Sequence, residues 1–384
     1  MIDYAKRLAT ARTRMAEQNI GLMFLKPGAN LFYLTGVRRQ EADNTDANAY
    51  GDWVVGGYIG LKDGIILTAP RMGGAFFQAE VEDKPWFESV RLILESEDPE
   101  QVMRQVISRF DLRGKKIALD DRTWAQTVLA FRRLLPDAEF VLASTVTGPM
   151  RMIKEEAAIE LMRKAGEITD GAFQRALAML KPGVTELEVA MEIDYQLKRL
   201  GADYTSFVTG IRFTGPGRTT PSALGRATER CLAPGDSITF DFGCVYQGYC
   251  SDFGRSAFVG DPPAEYIKIH EIVLRAQREA MQAMKAGQIT ACQADRIARS
   301  VIESEGYGEY FTHRLGHGIG VTVHEEPFLD AVNQTVLQTN MTFTVEPSIR
   351  IPDRFSNRVE DVVQVTPSGS VSLYTTDHRL YVID

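Results

Sequence analysis

The sequence has few of the residues that mark a disulfide scaffold or a nucleic-acid surface. Its four cysteines form no CxxC pair and have no spacing typical of a zinc site; they are Cys231, Cys244, Cys250 and Cys292. We therefore expect free thiols in a reducing compartment. The 43 basic residues are outnumbered by 51 acidic ones, which argues against a nucleic-acid partner because such a partner requires a basic face.

Long hydrophobic runs are also absent from the sequence. No stretch approaches the roughly 18 uncharged apolar residues of a membrane-spanning helix. The opening residues 1–15 have helical spacing but lack the apolar core of a signal peptide. We therefore expect a cytoplasmic protein with no membrane partner. The length of 384 residues favours two domains, since single cores stop growing at about 250–300 residues.

The first 150 residues alternate between helix and strand patterns. Strands are predicted at residues 21–25, 115–120 and 139–142, a hairpin at 56–68, and a helix at 123–135. This alternation predicts a compact α/β domain at residues 1–150, with a boundary near residues 147–149.

The second domain, residues 151–384, is predicted to begin with two helices and to continue mainly as short strands. The helices are predicted at residues 154–180 and 185–200, and the second begins with a capping-box pattern in which Glu188 follows Thr185 by three residues. Two further helices are predicted at about 265–284 and 291–305.

Two aspartates stand out in the second domain. The segment 237–246 alternates in period two, so Asp241 is predicted to face away from the apolar side of a strand. A turn near Gly248 is predicted to bring Asp252 roughly opposite Asp241. Carboxylates this close repel each other unless one is protonated or a cation lies between them. Taken alone, the pair is equally consistent with two solvated aspartates at loop ends.

Three further residues complete a potential ligand set. His317 is flanked by glycines that permit an uncrowded backbone, while Glu346 lies at the end of one predicted strand and Glu360 near the beginning of another. Four carboxylates and one imidazole form an oxygen-rich set that suits two divalent ions such as Mn, Co, Fe or Zn. Such paired ions acidify a bridging water and polarise a carbonyl group. The sequence therefore predicts a two-metal site.

These motifs resemble those of the creatinase, prolidase and methionine-aminopeptidase superfamily, the M24 or "pita-bread" metallopeptidases. The matching stretches are Asp241-Phe-Gly through Ser251-Asp252, Gly316-His317-Gly-Ile-Gly, Val345-Glu346-Pro and Arg358-Val-Glu360-Asp. The resemblance covers essentially the whole chain. It implies an α+β pita-bread catalytic domain at residues 151–384, preceded by a smaller α/β creatinase-type domain at 1–150.

The resemblance also implies a role for each metal ligand. One ion would be held by Asp241, Asp252 and Glu360, and the second by Asp252, His317, Glu346 and Glu360. Glu346 would in addition accept the proton of the attacking water. The implied activity is hydrolysis of small peptides, most simply at Xaa-Pro bonds, by a homodimer of the dipeptidase or aminopeptidase P type.

The resemblance implies roles for three further residues, and other histidines and acids are expected to have structural or surface roles. His313 and His324 would line the substrate pocket, and Arg358 would support the site. His270 and His378 match no motif and are expected to be ordinary surface or packing residues. Glu325 and Glu326 are expected to be solvated loop acids.

One position departs from the family pattern. Most prolidase-like members carry a histidine in a loop where this chain has Ser222, and losing such a hydrogen-bond donor costs ~10²–10³ in rate. Either Ser222, Arg218 or Thr220 replaces it, or the substrate is unusual. The alternatives are therefore a metal-dependent lyase or small-amide hydrolase of the same fold. A non-catalytic binding module is disfavoured because all five ligands are retained.

Overall fold

The computed structural model describes residues 1–38, 50–217 and 226–384. The chain divides into two compact units, Met1–Arg151 and Met152–Asp384. Ser222, Arg218 and Thr220 lie outside the described residues. Across the part of the chain that is described, none of the helices combines the length and the apolar character needed to cross a membrane.

The first unit is a mixed sheet with flanking helices. Its helices are α1 Tyr4–Glu17, α2 Ala29–Thr35, α3 Gly74–Val81, α4 Pro99–Ile107, α5 Ala125–Leu134 and α6 Ser144–Met152. Its strands are β1 Ile20–Leu25, β2 Gly56–Gly60, β3 Ile65–Pro70, β4 Phe87–Ile93, β5 Lys116–Leu119 and β6 Phe140–Leu142. The sheet order is β4-β3-β2-β1-β5-β6. The β1–β2 and β2–β3 pairs are antiparallel and the others are parallel.

The predicted elements of this unit are largely present. The hairpin predicted at residues 56–68 is the β2–β3 pair, and β1 is buried along its whole length, as its apolar run predicts. At the predicted domain boundary near residues 147–149, α6 is continuous and contains Pro149. A helical proline leaves the carbonyl four residues earlier without its donor. Here that carbonyl, of Thr145, accepts a hydrogen bond from Gln18 Nε2 at 3.2 Å.

The second unit carries four long helices among many short strands in its described part. The helices are α7 Glu156–Met179, α8 Glu186–Arg199, α9 Ala264–Ala283 and α10 Ala291–Ser304. The strands are β7 Tyr204–Thr205, β8 Gly210–Thr214, β9 Ser237–Phe242, β10 Cys244–Tyr246, β11 Tyr249–Cys250, β12 Phe253–Val259, β13 Gly316–Gly318, β14 Glu325–Leu329, β15 Thr342–Val345, β16 Ser348–Ile351, β17 Phe355–Arg358, β18 Asp361–Thr366, β19 Gly369–Ser372 and β20 Tyr381–Ile383.

Helix starts in this unit follow the capping rules. The Thr185 side chain accepts from the Glu188 backbone N–H, and the Glu188 carboxylate accepts from the Thr185 backbone N–H at 2.8 Å. The predicted capping box is therefore confirmed. A second box, Thr290 with Gln293, begins α10 in the same way.

Two sheets dominate the second unit, with orders β20-β12-β9-β8 and β14-β13-β15-β18-β19. The core between helix and sheet contains Ile269 and Val273 of α9 together with Phe343 of β15 and Val363 of β18. The two sheets meet at an isolated antiparallel bridge between Gly254 and Glu360. The acidic residues predicted from the sequence lie around this bridge.

Candidate metal centre

The two aspartates lie at the same end of the β9–β12 pair. Asp241 is the register partner of Gly254, and Phe242 is the partner of Phe253. Asp252 therefore lies just beyond this pairing, two residues before the register partner of Asp241; the sequence predicted it roughly opposite Asp241. The predicted turn near Gly248 joins β10 and β11, which form a small hairpin between the two longer strands.

His317 and Glu346 are delivered by neighbouring strands. His317 is the central residue of β13, and Glu346 directly follows β15, which pairs with β13. Gly316 permits this arrangement, because a Cβ added there would lie 1.9 Å from the carbonyl oxygen of Thr344. The glycines around His317 therefore act by allowing close strand packing, a stricter requirement than the uncrowded loop that the sequence predicted.

Glu360 lies at a break between two strands. The sequence placed it near the start of one strand, but β17 ends at Arg358 and β18 begins at Asp361. Its backbone N–H donates to the Gly254 carbonyl at 2.9 Å. A Cβ added to Gly254 would lie 2.9 Å from both Cβ and Oε2 of Glu360, so glycine is required for this approach.

Three of the predicted ligands form one tight group. Asp252, His317 and Glu360 each offer a ligand atom, and these atoms lie within 4.8 Å of one another. His317 Nε2 is 3.6 Å from Asp252 Oδ2 and 3.4 Å from Glu346 Oε1. Asp252, His317, Glu346 and Glu360 are all buried, whereas the Asp241 side chain is 26% exposed.

The hydrogen bonding of His317 fixes its tautomer. Nδ1 faces the carbonyl oxygen of Gly318 at 3.1 Å, and because a carbonyl only accepts, the proton is on Nδ1. Burial, with His324 nearby, lowers the pKa of His317 to about 3, so the ring is neutral. Its Nε2 therefore directs a lone pair toward the carboxylates of Asp252 and Glu346.

Arg358 compensates part of the negative charge of the cluster. Its Nη1 donates to Asp241 Oδ2 at 2.7 Å and its Nη2 donates to Glu346 Oε2. Its Nε lies 3.4 Å from Glu360 Oε2, outside hydrogen-bond geometry. Arg226 contacts Asp241 from the more exposed side, with Nη2 2.7 Å from Oδ2. Two guanidinium groups thus face four carboxylates.

The carboxylates respond differently to this environment. Burial and the nearby charges of Glu360 and Asp241 raise the pKa of Asp252 well above its ordinary value. Burial also raises the pKa of Glu360 to about 7. Burial acts in the same direction on Asp241, but Arg358 and Arg226 outweigh it and lower the Asp241 pKa. Asp252 and Glu360, the two acids whose pKa values burial raises, are therefore the ones whose charged forms most need a further cation.

The unpaired atoms of the cluster fit a divalent metal ion. Among the described residues, Asp252 Oδ1 and Glu360 Oε2 are buried with no hydrogen-bond partner. Burying carboxylate oxygens without a hydrogen-bond donor is costly unless they coordinate a cation, and the Arg358 Nε that lies 3.4 Å from Glu360 Oε2 supplies charge but no hydrogen bond. Together with the free lone pair of His317, the carboxylate oxygens form the oxygen-rich, imidazole-containing donor set that borderline divalent metals prefer.

The two predicted pocket histidines have different surroundings. The His324 residue is exposed, and its ring lies edge-to-face against His317 with centroids 4.1 Å apart. His313 is half-buried, with Nδ1 2.7 Å from the Arg314 carbonyl and Nε2 2.6 Å from Ser348 Oγ. Burial, followed by Arg358 and Arg350, lowers the His313 pKa to about 3, so this ring is also neutral.

Comparison with known proteins identifies the family. Residues 160–367 match the model of metallopeptidase family M24, and residues 7–153 match the creatinase/prolidase N-terminal domain. The chain belongs to metallopeptidase family M24. The predicted architecture, a creatinase-type N-terminal domain followed by an M24 pita-bread catalytic domain, is confirmed, and the protein is a metallopeptidase.

Three similar proteins illustrate the relationship. The chain is 33% identical to the probable dipeptidase PepE of Mycobacterium tuberculosis over 386 residues, covering 99% of this chain and 96% of that protein. It is 40% identical to the Xaa-Pro dipeptidase of Pyrococcus horikoshii over 242 residues, covering 63% of this chain and 68% of that one. The crystal structure of recombinant prolidase from Thermococcus sibiricus matches with a TM-score of 0.88 and 30% identity, covering 100% of both chains.

Sequence reasoning missed two residues that hold the backbone of the M24 site. Arg255 is fully buried, and each of its five N–H groups has an acceptor: the carbonyls of Gly254, Glu360, Thr376 and Asp377 and the carboxylate of Asp361. Gln277 on α9 donates from Nε2 to the carbonyls of Val345 and Val359, at 3.1 and 3.4 Å. For Arg255 the available signal was a charged residue in the largely apolar segment of β12, whereas Gln277 stands among charged residues of α9 and gave no such signal.

Three further side chains can be compared with the expectation from the sequence. Glu325 was expected to be a solvated loop acid, but it is buried and pairs with Lys154. His378 is more than a surface residue, because its Nε2 lies 2.7 Å from Asp361 Oδ2. His270 is a buried packing residue whose Nε2 faces the His378 carbonyl at 2.9 Å, consistent with the prediction.

Proposed function

We propose that this M24 metallopeptidase hydrolyses short peptides at Xaa-Pro bonds and uses two divalent metal ions to do so. The observation that carries the metal part is the buried group of Asp252, His317 and Glu360 with its unpaired oxygens. The observation that supports the substrate is full-length similarity to a prolidase at 30% identity. The geometry and the relatives thus support the same chemistry.

The ligand assignment follows from the donor atoms. We propose that Asp241, Asp252 and Glu360 hold one ion, and that the second is held by Asp252, His317, Glu346 and Glu360. When bound, such a pair of ions lowers the pKa of a water molecule and polarises the substrate carbonyl. Asp252 Oδ1 and Glu360 Oε2, which are buried without a hydrogen-bond partner, are the atoms that favour these two residues as shared ligands.

Two charged residues prepare the site for this reaction. We propose that Glu346 accepts the proton of the attacking water; its carboxylate is oriented by Thr344 Oγ1 at 3.1 Å and by Arg358. Arg358 donates to both Asp241 and Glu346, and its positive charge offsets the repulsion between the two carboxylates. Because Glu346 and Arg358 are both buried, the orientation of their side chains is fixed before substrate arrives.

The pocket histidines are proposed to contact the substrate rather than the ions. His324 is exposed beside the cluster and is positioned to meet a bound peptide. His313 already has both nitrogens engaged, so it reaches substrate only by exchanging the Ser348 hydroxyl for a substrate group. Since neutral His313 holds its proton on Nδ1, its Nε2 accepts a hydrogen bond from that group.

Other features of the sequence-based prediction remain proposals. We propose manganese as the working metal, with cobalt, zinc or iron as alternatives, because the donor set is rich in carboxylate oxygen. A cytoplasmic homodimer is proposed as the working form. The lyase or small-amide hydrolase alternative is not favoured, because the similar proteins are named dipeptidases and prolidases.

The proposal is tested with metal-loaded enzyme and a matched substrate panel. Protein loaded with Mn²⁺, Co²⁺ or Zn²⁺ is assayed against Ala-Pro, Met-Pro, a longer Xaa-Pro peptide and Ala-Ala. We expect Xaa-Pro hydrolysis to exceed Ala-Ala hydrolysis and to disappear on chelation. Failure of every loaded form to cleave any Xaa-Pro substrate would refute the proposed function. The longer peptide separates a dipeptidase from an aminopeptidase.

A further inference from the structure

A buried ion pair lies beneath the loop that carries His324. Lys154 Nζ is 3.2 Å from Glu325 Oε2, and the two side chains are only 5% and 4% exposed. The backbone of Lys154 is itself fixed, because its N–H donates to the Asn340 carbonyl at 2.9 Å. The pair is therefore part of the rigid interior of the catalytic unit and is not a surface contact.

The second oxygen of Glu325 holds the loop between β13 and β14. Glu325 Oε1 accepts from the Thr322 backbone N–H at 3.0 Å, and Thr322 Oγ1 donates to the His324 carbonyl at 3.0 Å. Gly320 lies directly on the pair, since an added Cβ would be 2.9 Å from Lys154 Cε and 3.0 Å from both Glu325 oxygens. The turn around residues 320–324 is thus folded about one carboxylate.

The loop in turn fixes the His324 ring beside the metal centre. Its centroid lies 4.1 Å from that of His317, in an edge-to-face arrangement. His324 directly precedes Glu325, so a shift of the Glu325 side chain moves the backbone from which the His324 ring projects. The Lys154–Glu325 ion pair therefore holds the loop segment from which the exposed His324 side chain projects.

We propose that the Lys154–Glu325 ion pair is a positioning device that holds His324 in place to contact the substrate. The proposal rests on the proposed function, in which His324 binds substrate. The alternative is a purely structural pair that stabilises the unit and leaves His324 unaffected. Neither Lys154 nor Glu325 is proposed to contact the ions or the reacting atoms.

A variant that restores packing without the charges separates these two roles. Removing one partner leaves a buried unpaired charge and destabilises strongly, whereas replacing both by apolar residues of similar volume is often neutral. Lys154→Met with Glu325→Leu is therefore expected to melt near the wild type, while Lys154→Met alone melts lower. The double variant has lost the acceptor for Thr322, so the loop is no longer held in its wild-type conformation.

The first measurement is kinetic. In the double variant we expect bound zinc to be unchanged and kcat/KM for Ala-Pro to fall roughly 10- to 100-fold, because small misplacements of a substrate-positioning group have effects of this size. The matched control is a second buried pair of the same unit, Arg230 with Asp236, whose side chains are 10% and 0% exposed. Arg230→Met with Asp236→Leu is expected to retain wild-type kcat/KM.

The second measurement does not depend on activity. The chain has five histidines, so the imidazole carbon-bound proton signals of ¹³C-histidine-labelled, Zn²⁺-loaded protein are few and assignable with single His→Gln variants. In the wild type, the His317 ring current displaces the His324 signal. In the double variant we expect that signal to move to the position of an exposed, unstacked imidazole.

The outcomes separate the inference from the proposed function. A double variant with unchanged His324 signals, or with kcat/KM within about twofold of the wild type, would overturn the positioning role. If the wild type hydrolyses no Xaa-Pro substrate, the proposed function fails, and the histidine spectrum alone then decides whether the ion pair positions His324.

Discussion

The side-chain amide of Gln277 donates a hydrogen bond to the carbonyl oxygen of Val345 at 3.1 Å, one residue before Glu346. The same nitrogen reaches the carbonyl of Val359 at 3.4 Å, one residue before Glu360. A single helical side chain that is 3% exposed thus holds the two chain segments that carry the glutamates of the proposed metal centre. No sequence motif marks this residue.

Replacing Gln277 by leucine is expected to weaken metal binding. The change leaves two buried carbonyls short of a donor, at about 1–3 kcal/mol of stability, and loosens both glutamates. Loss of such an outer partner typically reduces metal affinity roughly 10- to 100-fold. Calorimetric titration of the metal-free protein with Zn²⁺ measures this. Gln282→Leu, at an exposed position of the same helix, is the control, and equal affinities in both variants would contradict the prediction.

Removal of either proposed shared ligand is expected to empty the site. Asp252→Ala and Glu360→Ala each remove a donor assigned to both ions, so neither ion retains a full ligand set. Elemental analysis should show loss of most bound metal together with loss of activity. The exposed acid Glu279 provides the control variant Glu279→Ala. About two metals per chain in both ligand variants would refute the assignment.

Substitutions of His317 and His324, whose rings lie edge-to-face, are expected to differ in their effect on metal content. His317→Ala removes a neutral imidazole lone pair from the carboxylate cluster, so bound metal falls. His324→Ala removes an exposed ring, so turnover falls while metal content stays near the wild type. Parallel elemental analysis and Ala-Pro kinetics check this. Comparable metal loss in the two variants would place His324 among the ligands.

The buried His270 is expected to make folding stability depend on pH. Burial lowers its pKa below the ordinary value of 6.5, so near this pH the unfolded chain binds a proton that the folded protein does not. Stability is therefore intact above about pH 6.5 and falls as the pH drops toward the folded pKa, by at most about 1.4 kcal/mol per pH unit. Urea unfolding of wild type and His270→Gln at pH 7.5, 6.5 and 5.5 measures this. The prediction fails if the free energy of unfolding changes with pH by the same amount in the wild type and in His270→Gln.

The glycine before His317 is expected to be irreplaceable by alanine. A Cβ at Gly316 would lie 1.9 Å from the Thr344 carbonyl oxygen, so the strands must separate. We expect Gly316→Ala to melt several degrees lower, consistent with overpacking costs of about 1–3 kcal/mol. Gly148→Ala is the control, because that helical position has nothing within 4 Å of the added carbon. Equal melting temperatures in the two variants would show that the strands tolerate the extra carbon.

The sequence predicts elements whose signals are local. Period-two alternation correctly indicated that Asp241 departs from the buried face of β9, and the Thr185 capping box fixed the start of α8. The turn near Gly248 was also indicated, but the exact offset of Asp252 from the register partner of Asp241 was not, because it depends on how the short strands β10 and β11 are inserted. Period and turn signals do not specify which residues of distant strands are paired.

Residues that act through distant backbone contacts were not predictable in this way. The acceptors of Arg255 include the carbonyl of Glu360, 105 residues away. Glu325 is separated from Lys154 by 171 residues, and its position in a polar run predicts exposure. The candidate ligands were found because their residue types in order form a motif. Their supporting partners do not form one.

The long sequence separations within the centre have a consequence for how the protein folds. Arg358 bonds Asp241 across 117 residues, so the pocket exists only after the late, non-local strand pairings have formed. An ion that needs this completed geometry cannot nucleate folding and binds only the native state. Added metal should therefore slow unfolding and raise the melting temperature with concentration, while leaving the refolding rate unchanged.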